Sequence, residues 1–265
     1  MLQITKKMAT LATYCSILTP LTGTAQSGKL HDYNSIGWYQ LNLTTNLGPK
    51  WGLHVDYNQR YEPLQKELFQ RLIRTGVNFK PFSAWHFRTG YTWVENIPYG
   101  NFPSNSEGLK SNEHRLYQMI AYKHLAGNIE FRHRVMTEQR WLERTPTAGS
   151  KNSSYLYANR VRYQLKTQLP IKRKADQQRY PFVQLQNELM VAYGKNVPDN
   201  HFDQNRVSLL AGYHFSKQLQ LEAGIIHIRQ LLQRKINDQS VLLHNTGLQI
   251  NLYAQLNPTK KATAK

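Results

Sequence analysis

Arginines and glutamates at alternating positions are the residues of this sequence whose types and spacing could do chemistry. Residues 130–140 read Glu-Phe-Arg-His-Arg-Val-Met-Thr-Glu-Gln-Arg, and residues 160–162 read Arg-Val-Arg. Planar guanidinium groups form bidentate pairs with carboxylates, and guanidiniums that lack a carboxylate attract anions. The candidate site comprises nine residues: Glu130, Arg132, Arg134, Glu138, Arg140, Arg160, Arg162, Glu188 and Arg206.

Two uses of this set are open. Ion pairs between neighbouring strands could fill and rigidify the interior of a narrow barrel. Alternatively, an excess of basic residues could line a cavity that draws in anions. Arg60, Arg74, Arg88 and Lys166 fall on the same predicted faces as the nine residues, so basic side chains outnumber acidic ones there.

Catalysis by these residues is not expected. Glu138 and Glu188 could form a carboxylate pair of the glycosidase kind, but the surrounding arginines favour ionised carboxylates in structural ion pairs. Ser208 and His214 share a strand face without an evident acid partner, and only a lipid-modifying enzyme with its site at a barrel rim would use them. The strands lack metal-binding histidine spacing, and we expect no metal and no cofactor.

Alternation with a period of two is the dominant pattern of the sequence, and it determines where these charges point. In residues 51–61, apolar and aromatic side chains alternate with Gly52, His54, Asp56, Asn58 and Arg60. Similar segments recur along the chain and give eleven candidate strands, whereas no segment has the period of a helix. We predict one all-β domain, built as a single antiparallel up-and-down barrel.

Two features favour a transmembrane barrel over a soluble barrel or sandwich, which would keep its charged face outside. Trp51 and Tyr61 lie at opposite ends of one apolar face, and their separation projects to roughly the 25 Å height of the apolar band of outer-membrane barrels. Short connections such as 48–50 alternate along the chain with longer ones such as 95–112 and 230–239. Short periplasmic turns and longer external loops are typical of outer-membrane barrels.

The alternation of the connections also predicts the number of strands. Bacterial barrels have even strand counts. If the short turns are periplasmic, the strand that ends at Leu47 runs toward the periplasm, and an upward strand must precede it. We therefore predict about twelve transmembrane strands, with residues 26–35 as the additional short strand. Ten strands is the alternative.

The chain divides into three predicted regions. Residues 1–25 have the lysines, the apolar stretch and the small residues before a cleavage site that are typical of a signal peptide. Residues 26–253 form the barrel, and residues 254–265 form a basic C-terminal tail. The only cysteine, Cys15, lies in the signal peptide, which excludes disulfides from the mature chain. These regions predict export to the outer membrane of a Gram-negative-type cell.

The net charge of +18 would ordinarily indicate nucleic acid or an anionic surface as partner. A nucleic-acid module gathers its basic and aromatic residues on one accessible face, whereas here the two types lie on opposite faces of the same strands. We expect outer-membrane lipid as the partner of the apolar face, small anionic solutes as partners of an open interior, and no nucleic acid. The oligomeric state is left open.

The charged motifs resemble a known family. In order, they are Arg132-His133-Arg134, Glu138-Gln139-Arg140, Arg160-Val161-Arg162, Asn205-Arg206 and Gly212-Tyr213. Their order resembles the outer-membrane β-barrel family catalogued as domain of unknown function 2490, over residues 36–253. The family has no established activity, so the resemblance implies a porin-like fold and a location rather than a chemistry.

Three hypotheses about function follow from the sequence. The first is an outer-membrane barrel of structural or transport-associated role, with a mostly plugged lumen lined by arginine and glutamate. The second is an anion-selective channel. The third is a rim-located lipid-modifying enzyme, which the sequence disfavours because it offers no convincing catalytic constellation.

Overall fold

The structure is a computed structural model that describes residues 28–62, 66–103, 108–144, 154–171, 177–197 and 201–256. These residues form eleven strands that close into one barrel, which confirms the all-β barrel fold. The strands are β1 (Leu30–Asn46), β2 (Trp51–Glu62), β3 (Glu67–Phe79), β4 (Trp85–Asn96), β5 (Ser111–Ala126), β6 (Ile129–Arg144), β7 (Ser154–Pro170), β8 (Tyr180–Tyr193), β9 (Phe202–His214), β10 (Leu219–Ile236) and β11 (Gln239–Leu256).

Strands that follow each other along the chain pair antiparallel, but the barrel closes through a parallel pair. β1 lies beside β11 in a register that runs from Leu30 opposite Val241 to Thr45 opposite Leu256. An odd number of up-and-down strands makes the first and last strands point the same way, so the closing pair is necessarily parallel. The eleven described strands lie within one of the predicted number of about twelve, and residues 30–35, which were predicted as part of a separate short strand, belong to β1 itself.

Two predicted boundaries concern the ends of the chain: the end of the signal peptide at residue 25 and the end of the barrel at residue 253. The predicted signal peptide lies outside the described residues, which begin at residue 28. β11 continues to Leu256, past the predicted end of the barrel at residue 253. The remainder of the predicted tail also lies outside the described residues.

The strands bury their polar faces and expose their apolar faces. In β2, burial alternates at every residue over most of the strand, so that Trp51 is 53% exposed while Asp56 is 2% exposed. A soluble protein would bury the first and expose the second. The wall thus presents a largely apolar outer surface and encloses most of the charges of the strands. Among the described residues there is no helix long and apolar enough to cross a membrane.

The two ends of the barrel differ in their connections. We call the end that carries residues 47–50, 80–84, 127–128, 171–179 and 215–218 the turn end, and the opposite end the loop end. Two connections break the predicted sorting by length. Residues 171–179 are a long connection at the turn end. The predicted loop at 230–239 is mostly strand, because Asn237 and Asp238, with φ of 48° and 61°, form a two-residue turn that lets β10 continue to Ile236.

Part of the interior is apolar. Tyr117, Met119 and Ala121 of β5 and Met136 of β6 form a buried cluster on the inner wall. The ring of Tyr117 lies over Gly76, where an added Cβ would overlap its hydroxyl, and this hydroxyl donates to the Thr75 carbonyl at 3.0 Å. The interior is therefore filled by side chains on this wall rather than lined only by charge.

The connection between β4 and β5 begins with a folded segment, residues 97–103, which we call the strap. The strap extends from β4 over the loop end to the closing seam between β1 and β11. Tyr99 stacks on Phe69 at 4.1 Å and accepts a hydrogen bond from Asn245 of β11, while Asn101 donates through its backbone and side chain to Asp32 of β1. Gly100 has a φ of 69° and passes so close to Asp32 that a Cβ there would collide with its carboxylate. The strap therefore covers part of this end of the lumen.

Candidate functional site

The interior is organised around Glu138, whose side chain is fully buried at mid-height of β6. Its carboxylate accepts hydrogen bonds from Arg160 at 2.7 Å and from Arg162 at 3.0 Å, both on the neighbouring strand β7. Arg74 and Arg115 approach it at 3.8 Å from the opposite side. Three strands thus direct four guanidinium groups at one carboxylate in the middle of the lumen.

Glu188 of β8 is the second centre of the network. It accepts hydrogen bonds from Arg134 at 2.6 Å and from Arg162 at 2.8 Å, and Arg206 of β9 donates to it at 3.3 Å. Arg162 contacts Glu138 as well, so it links the two centres. The register explains the geometry, since Glu188 lies opposite Arg206 and diagonally across from Arg162.

A third group of ion pairs lies nearer the loop end. Glu113 binds Arg115 on its own strand and Arg140 of β6. Asp203, at the start of β9, binds Arg160 at 2.7 Å and lies 3.9 Å from Arg140. These pairs join the two centres into one continuous set, which we call the network. Its members are the arginines Arg74, Arg115, Arg134, Arg140, Arg160, Arg162 and Arg206 and the carboxylates Asp56, Glu113, Glu138, Glu188 and Asp203.

The structure brings seven of the nine sequence-predicted residues into the network and leaves two outside it. Glu130 and Arg132 pair with each other at 2.8 Å near the turn end, and Arg132 is exposed. Glu130 also lies 3.7 Å from Lys123. This pair is therefore a rim feature, separate from the buried set.

Sequence reasoning missed Glu113, Arg115 and Asp203. On β5 the inward face includes Tyr117 and Met119, while the outward face includes polar residues, so the contrast between the two faces is weak. One signal was available. Glu113, Arg115 and Lys123 are separated by even numbers of residues, so alternation places all three on the same face of β5. Alternation from Arg206 would place Asp203 on the outer face, but a shift in the register between β8 and β9 at this point lets it lie inside the barrel.

Positive charge exceeds negative charge in the lumen. Arg88 donates to Asn78 at 2.6 Å and Lys166 donates to Tyr253 at 3.2 Å, and within the described part of the chain neither forms an ion pair. At the turn end, the pKa of Lys80 is lowered because the side chain is partly buried and because Arg88, Arg132 and Lys123 lie near it. The lumen and its turn end are thus electropositive.

The network leaves a cavity of about 830 Å³ inside the barrel. Its lining includes Gln70 and Gln230 toward the loop end, Arg162 in the middle, and Lys80 and Lys217 toward the turn end. The cavity therefore extends along much of the barrel, and polar and basic groups line most of it.

The arrangement suits electrostatic binding better than proton transfer. Glu138 and Glu188 are each surrounded by guanidiniums, which hold a carboxylate in its ionised form. Ser208 donates to Gln249 at 2.7 Å, whereas the ring of His214 is within 3.2 Å of Gln168, so the two side chains have different partners. Within the described ranges, no group of three or more His, Cys, Asp and Glu side chains could hold a metal ion.

Fold and site together define a closed β-barrel with an apolar outer wall and a charged, cation-rich lumen. The model of the family described as "Protein of unknown function (DUF2490)" matches residues 36–240. The chain belongs to this family, which confirms the resemblance seen in its charged motifs. No curated protein matches the sequence.

Among solved structures, the chain is similar to one titled "NanC porin structure in rhombohedral crystal form". The two share 12% sequence identity over 84% of this chain and 99% of that chain, with a TM-score of 0.42.

Proposed function

We propose that the protein is an outer-membrane β-barrel of structural or transport-associated role, with a lumen that its own side chains hold mostly closed. The observation that carries the proposal is the network around Glu138, which joins arginines from β3, β5 and β7 at mid-height. Buried ion pairs that share partners resist displacement, because removing one member strands the others in a medium of low polarity.

The outer wall supports the membrane location. Leu209 of β9 and Ile225 of β10 are register partners on the outer face, and they are 57% and 63% exposed. Trp51 and Trp85 lie exposed near the turn end, as in an aromatic girdle at a membrane interface. An apolar wall of this extent is unfavourable in water and favourable in lipid.

Fractionation tests the location. We expect the protein in the outer-membrane fraction, migrating faster on a gel when unheated than when boiled, because a folded barrel resists detergent. Recovery as a soluble periplasmic protein that migrates alike with and without heating would overturn the proposal.

Planar-bilayer recording tests the closed lumen. We expect wild-type protein to give at most rare, small currents, and we expect Glu138→Gln to conduct more because the guanidiniums around residue 138 lose their shared partner. Glu95→Gln, which removes a carboxylate from a surface pair with Arg71, serves as the control and should leave the currents unchanged. A large, steady wild-type current would refute the closed lumen.

An anion-selective channel is the second candidate. The cavity of about 830 Å³, with lining residues from both ends and an excess of basic groups, favours it. A stable wild-type current with a reversal potential that reports anion preference would establish this candidate in place of the closed lumen.

We propose no catalytic role. Ser208 is almost fully buried and donates its hydroxyl hydrogen to Gln249, which leaves it poorly placed to attack a lipid ester at the rim. Lipid turnover by the purified protein that is lost in Ser208→Ala would contradict this part of the proposal.

A further inference from the structure

Arg60 differs from the other arginines of the lumen. It lies near the loop end of β2 and is 8% exposed. Its guanidinium lies over the ring of Trp38, 3.7 Å from the ring centroid. Within the described part of the chain it forms no ion pair, and its Nε has no hydrogen-bond partner. It lines the cavity. A buried guanidinium without a counter-charge is costly, so an anion in the cavity beside it would be stabilising.

Two carboxylates at the loop end accept hydrogen bonds from the strap. Glu62, two residues beyond Arg60, accepts a hydrogen bond from the backbone of Gly100 at 3.0 Å. Asp32 accepts from the backbone and the side chain of Asn101. Burial raises the pKa of Tyr99 to about 12, so its hydroxyl stays neutral at physiological pH. The strap therefore supplies no negative charge to Arg60.

The neighbouring cation does not relieve this imbalance. The guanidinium of Arg206 lies over the same Trp38 ring at 4.8 Å. Arg206 donates through two nitrogens to Gln204, a neutral amide, and its remaining partner Glu188 is shared with Arg134 and Arg162. The network has more arginines than carboxylates even before Arg60 is counted.

We propose that a small oxyanion binds in the lumen beside Arg60 and Arg206, beneath the strap. Guanidinium groups present paired donors that match the oxygens of a phosphate or a carboxylate, and both groups face the cavity. Small size follows from the enclosed position among side chains of the inner wall. The inference deepens the proposed function and rests on it for the barrel and its lumen, and it requires that a small ion reaches the cavity from one end but not that it crosses the barrel.

Calorimetric titration of the folded barrel in detergent micelles tests the site, with inorganic phosphate and acetate as separate probes at constant ionic strength. We expect binding of at least one probe near one site per chain, and at least ten-fold weaker binding in Arg60→Gln. Arg71→Gln is the matched control, because Arg71 lies on the outer face of the adjacent strand and loses the same charge. It should bind as wild type does.

The outcomes separate the alternatives. Binding of phosphate alone assigns a phosphate ligand, binding of acetate alone assigns a carboxylate, and binding of both assigns oxyanions in general. Absence of binding by wild type, or equal affinity in wild type and Arg60→Gln, overturns the site. If Arg60→Gln fails to fold, Arg60→Lys keeps the charge but loses the paired donors and should still weaken binding. Failure here would leave the bilayer and fractionation results untouched, so the two proposals fail separately.

Discussion

Replacing Glu138 by glutamine should destabilise the barrel more than any comparable change at its surface. Glu138 is fully buried and has Arg160 and Arg162 within 3.0 Å, with Arg74 and Arg115 slightly farther away. The amide keeps the shape but removes the negative charge that these four cations share. Breaking a buried ion pair by removing one partner costs about 3–5 kcal/mol, and we expect Glu138→Gln to lower the free energy of unfolding by about that amount.

The assay is equilibrium urea unfolding of the barrel in lipid vesicles, followed by tryptophan fluorescence. Glu95→Gln removes a carboxylate from a partly exposed pair, and such pairs contribute about 0–1 kcal/mol. The double variant Glu138→Gln/Arg162→Gln should recover part of the loss, with a coupling energy of about 0.5–3 kcal/mol. A cost for Glu138→Gln that does not exceed the cost for Glu95→Gln would refute the reasoning that the network holds the lumen.

Three further perturbations test other parts of the structure. Leu209→Arg on the outer wall should lower the free energy of unfolding in vesicles by about 2–4 kcal/mol, whereas Leu109→Arg before β5 should change it by less than about 0.5 kcal/mol; equal effects would contradict a lipid-facing wall. Gly212→Ala should cost about 1–3 kcal/mol, because its Cβ would overlap the ring of Phe182, and adding Phe182→Leu should recover much of the loss in the same unfolding assay. Asp32→Asn should loosen the strap, seen as faster proteolysis at the loop end of the folded barrel, and an unchanged digestion pattern would count against the strap's anchorage.

The outer and inner faces of the barrel could be predicted from the sequence because alternation is a local property. In β2, the residues from Trp51 to Arg60 alternate with almost no exception, and each predicted inward side chain is buried in the structure. The same alternation predicted the inward faces of β6, with its arginines and Glu138, and of β7, with Arg160 and Arg162. Ion pairs between neighbouring strands could also be predicted as a type of contact, because antiparallel pairing brings the inward side chains of adjacent strands together.

The particular partners could not be predicted, because they depend on register and on the curvature of the closed wall. Arg74 and Glu138 lie on strands that are not adjacent, and only closure of the barrel brings them to 3.8 Å. Glu113 and Arg115 were missed because the apolar cluster around Tyr117 shares their inward face, which weakens the contrast in polarity between the two faces of β5. The parallel seam was missed because the expectation of an even strand count came from other barrels rather than from these residues.

The strap could not be predicted either, and it connects the seam to the cation site. A parallel pair is slightly less stable per residue than an antiparallel one, and the seam between β1 and β11 is the one place where this barrel depends on such a pair among its described strands. The strap contacts both sides of it, through Asp32 of β1 and Asn245 of β11. It also donates, through the backbone of Gly100, to Glu62 at the end of β2. The strap therefore braces the parallel seam at the same end of the barrel at which Arg60 faces the cavity, so a variant that loosens the strap tests whether the seam depends on it.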